Sequence, residues 1–406
     1  MPDKQYSVRA ARCDHRTATN EQVYETLRHI TDPLTRSWEK LEKAEKIVLK
    51  FNMMHPNVEH FRGRRRELVD DSVCMAVLRL LRERTSAHLI AADTRGYITQ
   101  GEPEAELNYL RYLREFDVEY VECNLPPFST YDVPGGGTMF DRYTLNSCFG
   151  EADAVVSVAK MKNHGFMGVT MCMKNLFGIT PIPRPHGRIR TYFHHAIRLS
   201  HVLPDLALIT QPCLNIVDAM IGQYGQEWNG EGRVADTLIA GDQTTATDAC
   251  GAHLMGHDPK SDWPTPPFRR DRNHLLIAAN RGFGTVDLDE IDFVSETNPA
   301  PLAEFDSYET NTPEIVRSIR RTACEQGLIY RDKQAEMIDR YANDFIYMQD
   351  GDVVWHGEDP SHIKSHQEFA SSDKPGSALF MKLVDPQEKE GERFEVYEDN
   401  LKSISA

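Results

Sequence analysis

The chain has 406 residues, with 62 acidic against 46 basic side chains and a formal net charge of −16. That length buries a large core in two or three domains, and that charge excludes nucleic acid as the main partner. No run reaches the roughly 18 apolar residues of a membrane span, and the opening MPDKQYSVRAARCDHR carries no leader pattern. A cytoplasmic location without membrane contact is therefore expected. The eight cysteines form no CxxC pair and read as reduced thiols. Their spacing also leaves no iron–sulfur cluster to expect.

In chain order, residues 1–45 read as a polar, partly helical lead-in. Residues 46–300 read as an α/β core. KIVLKF (46–51) predicts a strand, LVDDSVCMAVLRLLRER (68–84) a helix and AHLIAA (87–92) a strand followed by the loop DTRG. PEAELNYLRYLREF (103–116) predicts a helix and DVEYVEC (117–123) a strand. ADAVVSVAK (152–160), CLNIVDAM (213–220) and VADTLIAGD (234–242) predict three more strands. Apolar strands alternating with helices predict a mainly parallel sheet in Rossmann-like lobes, covered on both faces. Such sheets bind ligands outside the carboxyl ends of their strands. Asn52, Asp93, Lys160, Asp218 and Asp242, each read as closing a strand, are the positions to watch.

Residues 301–406 change texture and read as an α+β extension. DFIYMQDGDVVWHG predicts a hairpin around Asp350-Gly351. SALFMKLVDPQEKEGERFEVYE predicts a second strand pair around a charged turn.

The strongest signal is an absence. From Ala154 to Pro204 there is no Asp or Glu, while seven Lys or Arg and five His fall inside that stretch. A positive pocket in a negative protein gathers anions. Lys160, Lys162 and Lys174 stand among glycines and apolar residues, unlike lysines on a solvated helix face. Gly165 and Gly168 let backbone approach a ligand, and Thr170 offers a hydroxyl. Lys174, packed among Met and Phe, has the setting of a desolvated amine, fit for a base, a nucleophile or a plain cation. Arg95, in DTRG after a strand, is placed at the same edge. A helix over 191–201 sets His194 and His201 on one face, with Arg190 and Arg198 beside His194. Imidazoles there suit zinc, copper, iron or nickel.

The runs ADAVVSVAKMKNH…GVTMCMKNLFGITP, NIVDAM and IAGDQTTATDACGAHLMG resemble the family catalogued as domain of unknown function 362, over roughly residues 46–295. The resemblance implies an α/β architecture and no assigned activity. His164, Gly168, Thr170 and Lys174 also fit H-x3-G-x-[ST]-x3-K. That run resembles one in lactate-racemase-type enzymes, in which the lysine carries a nickel pincer nucleotide and histidines complete the nickel site. Met171-Cys172-Met173 departs from the Gly-Gly found there.

These readings converge on a cytoplasmic, metal-assisted enzyme acting on a small carboxylate or phosphate. Isomerase or racemase, lyase and oxidoreductase chemistry all stay open. Lys174, His164 and Asp218 are the expected catalytic groups. Lys160, Lys162, Thr170, Asn175, Arg190 and Arg95 are expected to hold substrate. His164, His194, His186 and Asp242 are expected to bind a transition metal (nickel, iron, zinc or copper). The alternatives are a binding protein for an anionic metabolite or cofactor, and a scaffold docking an acidic partner. A homo-oligomer is compatible with either.

Overall fold

In the computed structural model, residues 4–53, 58–94, 108–183, 186, 189–360 and 379–405 are described. The chain opens with β1 (Tyr6–Arg12), α1 (Asn20–Thr31), α2 (Thr35–Leu41) and β2 (Lys46–Phe51). The short hairpin of β3 (His60–Phe61) and β4 (Arg64–Arg65) precedes α3 (Asp71–Arg84), β5 (His88–Asp93), α4 (Leu110–Glu115) and β6 (Glu119–Glu122). A second hairpin, β7 (Phe128–Asp132) and β8 (Arg142–Asn146), leads into β9 (Ala154–His164) and β10 (Gly168–Thr170). Then come α5 (Cys172–Asn175), α6 (Ile189–Phe193), α7 (Arg198–Thr210), β11 (Leu214–Tyr224) and β12 (Glu231–Gly241). The remainder is α8 (Thr244–Leu254), α9 (His274–Asn280), β13 (Ile291–Glu296), α10 (Pro313–Asp332), α11 (Gln334–Tyr341), β14 (Phe345–Gln349), β15 (Asp352–Gly357), β16 (Phe380–Leu383) and a C-terminal helix, Glu395–Ser405.

The central sheet runs β13-β1-β12-β11-β9-β2-β5-β6, with β10 paired to β9. On this path every pairing is parallel except the two that β12 makes, with β11 and with β1. The mostly parallel α/β sheet read from the sequence is thus present. Buried apolar side chains pack on both faces, as continuous Val/Ile/Leu runs require.

Two boundaries differ from the expected ones. Residues 1–45 are more than a lead-in, because β1 is an interior strand between β12 and β13. Its YSVRAAR has no long apolar run, but Val8 and Ala10 are buried. Past residue 300, the predicted hairpin forms as β14 and β15, with Asp350 (φ +53) and Gly351 (φ +86) in its turn. The second predicted strand pair does not form. Phe380–Leu383 is a strand paired with β14, but no second strand follows it and from Glu395 on the chain is the C-terminal helix. Ile319, Tyr330, Phe345 and Tyr397 belong to the same apolar cluster as Val8 and Val155, so residues beyond 300 pack into the main core. Arg198 is fully buried and paired with Glu392 at 2.8 Å.

The candidate site lies at the carboxyl end of β9. That strand extends past Lys160 to His164 and folds back through β10. Gly168 (φ +75) makes the fold-back possible: a Cβ there would lie 2.9 Å from Phe268. No described helix is long and apolar enough to cross a membrane.

Candidate functional site

Alternate residues of a strand share a face, so Lys160, Lys162 and His164 point the same way from β9. Thr170 pairs with Lys162 and Gly168 with His164 across the β9–β10 register. His164 is buried, and its Nδ1 accepts the N–H of Phe166 at 3.0 Å and of Met167 at 3.2 Å. An accepting Nδ1 carries no proton, so the neutral ring carries it on Nε2, which faces Glu227. Nε2 is 3.2 Å from Glu227 Oε1, yet no partner meets it at a hydrogen-bonding angle. The His194 ring stacks on His164, with centroids 5.8 Å apart. One ligating atom each from His164, His194 and Glu227 lies within 4.8 Å of the others. Burial, then the charge of Lys174, holds both imidazoles neutral by driving their pKa well below the ordinary value. Two neutral imidazoles and a carboxylate form a donor set that suits zinc, iron or nickel.

Lys174 sits on α5, whose first N–H groups are held by Asp248: Cys172 N–H at 3.0 Å and Met173 N–H at 2.8 Å. Its ammonium lies 4.8 Å over the Phe177 ring and makes no hydrogen bond among the described residues. The guanidinium of Arg190 lies over the same ring, also at 4.8 Å. Burial, then Arg190, pushes the Lys174 pKa down to about 7. Thr170 Oγ1 is buried and has no hydrogen-bond partner among the described residues. Lys162 donates to the carbonyls of Glu67 at 2.9 Å and Glu227 at 3.2 Å, and lies 4.8 Å over Trp228. It ties down the loop that carries Glu227, and burial lowers its pKa to about 8.

Several expected residues stand elsewhere. Lys160 is fully buried and paired with Asp218 at 2.9 Å. Asp218 is mid-strand in β11, at a register irregularity, and also accepts Asp70 N–H at 2.8 Å and Met220 N–H at 3.1 Å. Their charges satisfy each other and nearby backbone. Asn175 is spent on Lys50, its Oδ1 accepting Lys50 Nζ at 3.0 Å and its Nδ2 donating to Lys50 O at 2.8 Å. Lys50 Nζ in turn pairs with Asp93 at 2.9 Å. His186 is exposed and stacks on Phe128, centroids 4.6 Å apart, outside the His164–His194–Glu227 group.

Asp242 lies at the opposite sheet edge, because β12 runs antiparallel and ends where its neighbours begin. It accepts Ser7 N–H at 2.9 Å and pairs with Arg36 at 2.7 Å. The helix predicted over 191–201 breaks at Ile197 (φ +74), so His194 and His201 share no helix face; His201 is bonded to Ile197 O at 2.9 Å. Arg95 falls outside the described residues.

Two residues escaped sequence reasoning. Glu227 comes from the β11–β12 turn, outside the acid-free stretch; its QEWNG turn, closing a long apolar strand, was the available signal. His274, at the start of α9, is fully buried with both ring nitrogens unpartnered, and Lys174 contributes to lowering its pKa to about 3 after burial. No local pattern marks it.

The model of the family described as "Domain of unknown function (DUF362)" matches residues 47–253. That is a narrower span than the 46–295 read from the motifs. A thylakoid-associated protein of Synechocystis sp. is 25% identical over 240 residues, which is 58% of this chain and 70% of that protein. Among solved structures, the lactate racemase apoprotein of Thermoanaerobacterium thermosaccharolyticum matches with a TM-score of 0.37 and 13% identity, over 63% of this chain. The match spans 58% of the racemase chain. At that score no feature of the racemase is carried over.

Proposed function

We propose that this chain, which belongs to the DUF362 family, is a cytoplasmic, metal-assisted enzyme acting on a small carboxylate or phosphate. One observation carries the reading: ligating atoms of His164, His194 and Glu227 converge within 4.8 Å, with His164 Nε2 buried and unbonded. A metal bound at Nε2 would take the place of the proton there, so uptake by this donor set would release a proton. A bound transition metal supplies Lewis-acid polarisation of a substrate oxygen. The chain's own groups do the rest. Lys174 and Arg190, both beside the Phe177 ring, hold the anion near the metal ligands. Lys174 has no hydrogen-bond partner among the described residues and reaches the substrate either as a cation or as a proton carrier. Thr170 Oγ1 donates to a ligand oxygen. Lys162 and Trp228 keep the Glu227 loop closed on the site.

Cobalt(II) titration tests this. A site of two imidazoles and one carboxylate gives visible ligand-field bands that His164→Ala and Glu227→Gln each abolish, and that shift when a small 2-hydroxy acid or phosphate is added. Bands that persist unchanged in both variants sink the proposal.

A further inference from the structure

We infer that the cleft between β1, β12 and the β3–β4 hairpin binds a small phosphate-bearing anion. This cleft of about 470 Å³ is lined by Arg12, Arg16, Arg62 and Arg233. It lies at the same sheet edge as the candidate site, since two antiparallel pairings restore β1 to the direction of β9. Three strand spacings separate the two, about 14 Å, so this is a second site.

Four guanidiniums in one cleft are unusual on a chain of net charge −16. One oxygen of each of the two carboxylates among them is engaged by neighbouring groups. Asp236 Oδ1 accepts His15 N–H at 2.8 Å and His15 Nδ1 at 2.6 Å. Asp14 Oδ1 accepts the N–H of Arg16 at 2.9 Å and of Thr17 at 3.1 Å. Those bonds also argue against reading Asp14, His15 and Asp236 as a cation site, although their ligating atoms are close. Arg233 pairs with Glu231 at 3.0 Å and Arg12 stands 3.6 Å from Asp14. Arg16 and Arg62 meet no carboxylate among the described residues; Arg62 instead lies 5.5 Å over the Phe61 ring.

The frame is rigid where it needs to be. Arg62 (φ +51) and Gly63 (φ +85) make the tight turn of the hairpin. Asp236 (φ +47) is also left-handed. Left-handed non-glycine residues persist only where surrounding structure holds them, and they gather at ligand clamps. Phe61 packs closely on β12, where a Cβ on Gly232 would stand 2.4 Å from its ring. Arg64 anchors the hairpin to His15 O at 2.9 Å and to Asp70 at 3.0 Å. The turn therefore presents Arg62 over the cleft, and guanidiniums recognise phosphate by bidentate hydrogen bonds.

Calorimetric titration of pyrophosphate into the full chain tests the assignment, using wild type, Arg16→Ala/Arg62→Ala and Lys174→Ala. Both arginines are exposed, so the double variant folds, which a thermal melt verifies. Saturable binding to wild type is expected. It should weaken at least tenfold in the arginine variant, persist in Lys174→Ala and fall with added salt. Absence of binding, or binding unchanged in the arginine variant, overturns the inference. Binding lost only in Lys174→Ala assigns the anion to the other site and overturns it equally.

Discussion

Lys174 and Lys160 lie fourteen positions apart in the same acid-free stretch, and their fates are opposite. Lys160 meets Asp218 in a fully buried pair, whereas Lys174 has the Phe177 ring beside its ammonium and no carboxylate partner among the described residues. Removing one member of a buried pair strands the other charge, which costs about 3–5 kcal/mol. Asp218→Asn and Lys160→Met should each lower denaturant stability by that amount, with metal content intact in the protein that remains folded. A loss of metal at unchanged stability would instead make the pair part of the site. Lys174 should behave the other way. Lys174→Ala and Lys174→Arg should melt near wild type. If Lys174 only holds an anion, Lys174→Arg keeps affinity for a small carboxylate; if it moves a proton or bonds covalently, both variants lose turnover, because guanidinium stays protonated. Full affinity and full turnover in Lys174→Ala would remove the residue from the site. The sequence marked this stretch as basic and glycine-broken. It carried no mark of which cations were already paired, because Asp218 and Glu392, the partners of Lys160 and Arg198, lie elsewhere in the chain.

The elements explain why some site readings succeeded and others failed. Strands of continuous apolar residues were legible, and the carboxyl end of β9 carries the site, as parallel sheets lead one to expect. Asp242 was misplaced because its strand is the antiparallel one, and direction is set by pairing partners that no local pattern reveals. Glu227 was missed for the same reason, since its turn could be read but not its neighbour: a turn 63 positions beyond His164 returns to it only once β11 lies beside β9. The short α5 exists through tertiary bonds. Asp248, on α8, takes its first two N–H groups, and burial pushes that carboxyl up to about 7. Asp248→Ala should cost about 1–3 kcal/mol through two stranded backbone donors. It should also weaken anion binding by displacing Lys174, with Asp248→Asn milder in both. Unchanged denaturation midpoints in Asp248→Ala would show that α5 holds itself.

Across the whole molecule, the chain beyond residue 300 closes the core. Arg198 reaches Glu392, Tyr397 Oη and Met381 O from a fully buried position. A chain ended near residue 300 should therefore fail to unfold cooperatively; a fragment with a sharp melt would restore an independent boundary there. Burial raises the Glu392 carboxyl, but Arg198 and Lys382 outweigh it and hold it at about 2, below its ordinary 4.5. A depressed acid stabilises above its unfolded value and loses that contribution as pH falls. Wild type should thus lose stability between about pH 4.5 and 2, and Glu392→Gln, weaker at neutral pH, should show a flatter profile in that window. The account's central claim is the metal site, and elemental analysis of the purified full-length protein tests it most directly. One equivalent of a transition metal in wild type, with less than a tenth of that in His164→Ala and in Glu227→Gln at unchanged fold, is the predicted result. Metal retained in both variants, or wild type that takes up none when zinc, nickel, iron and copper are each supplied, would contradict it.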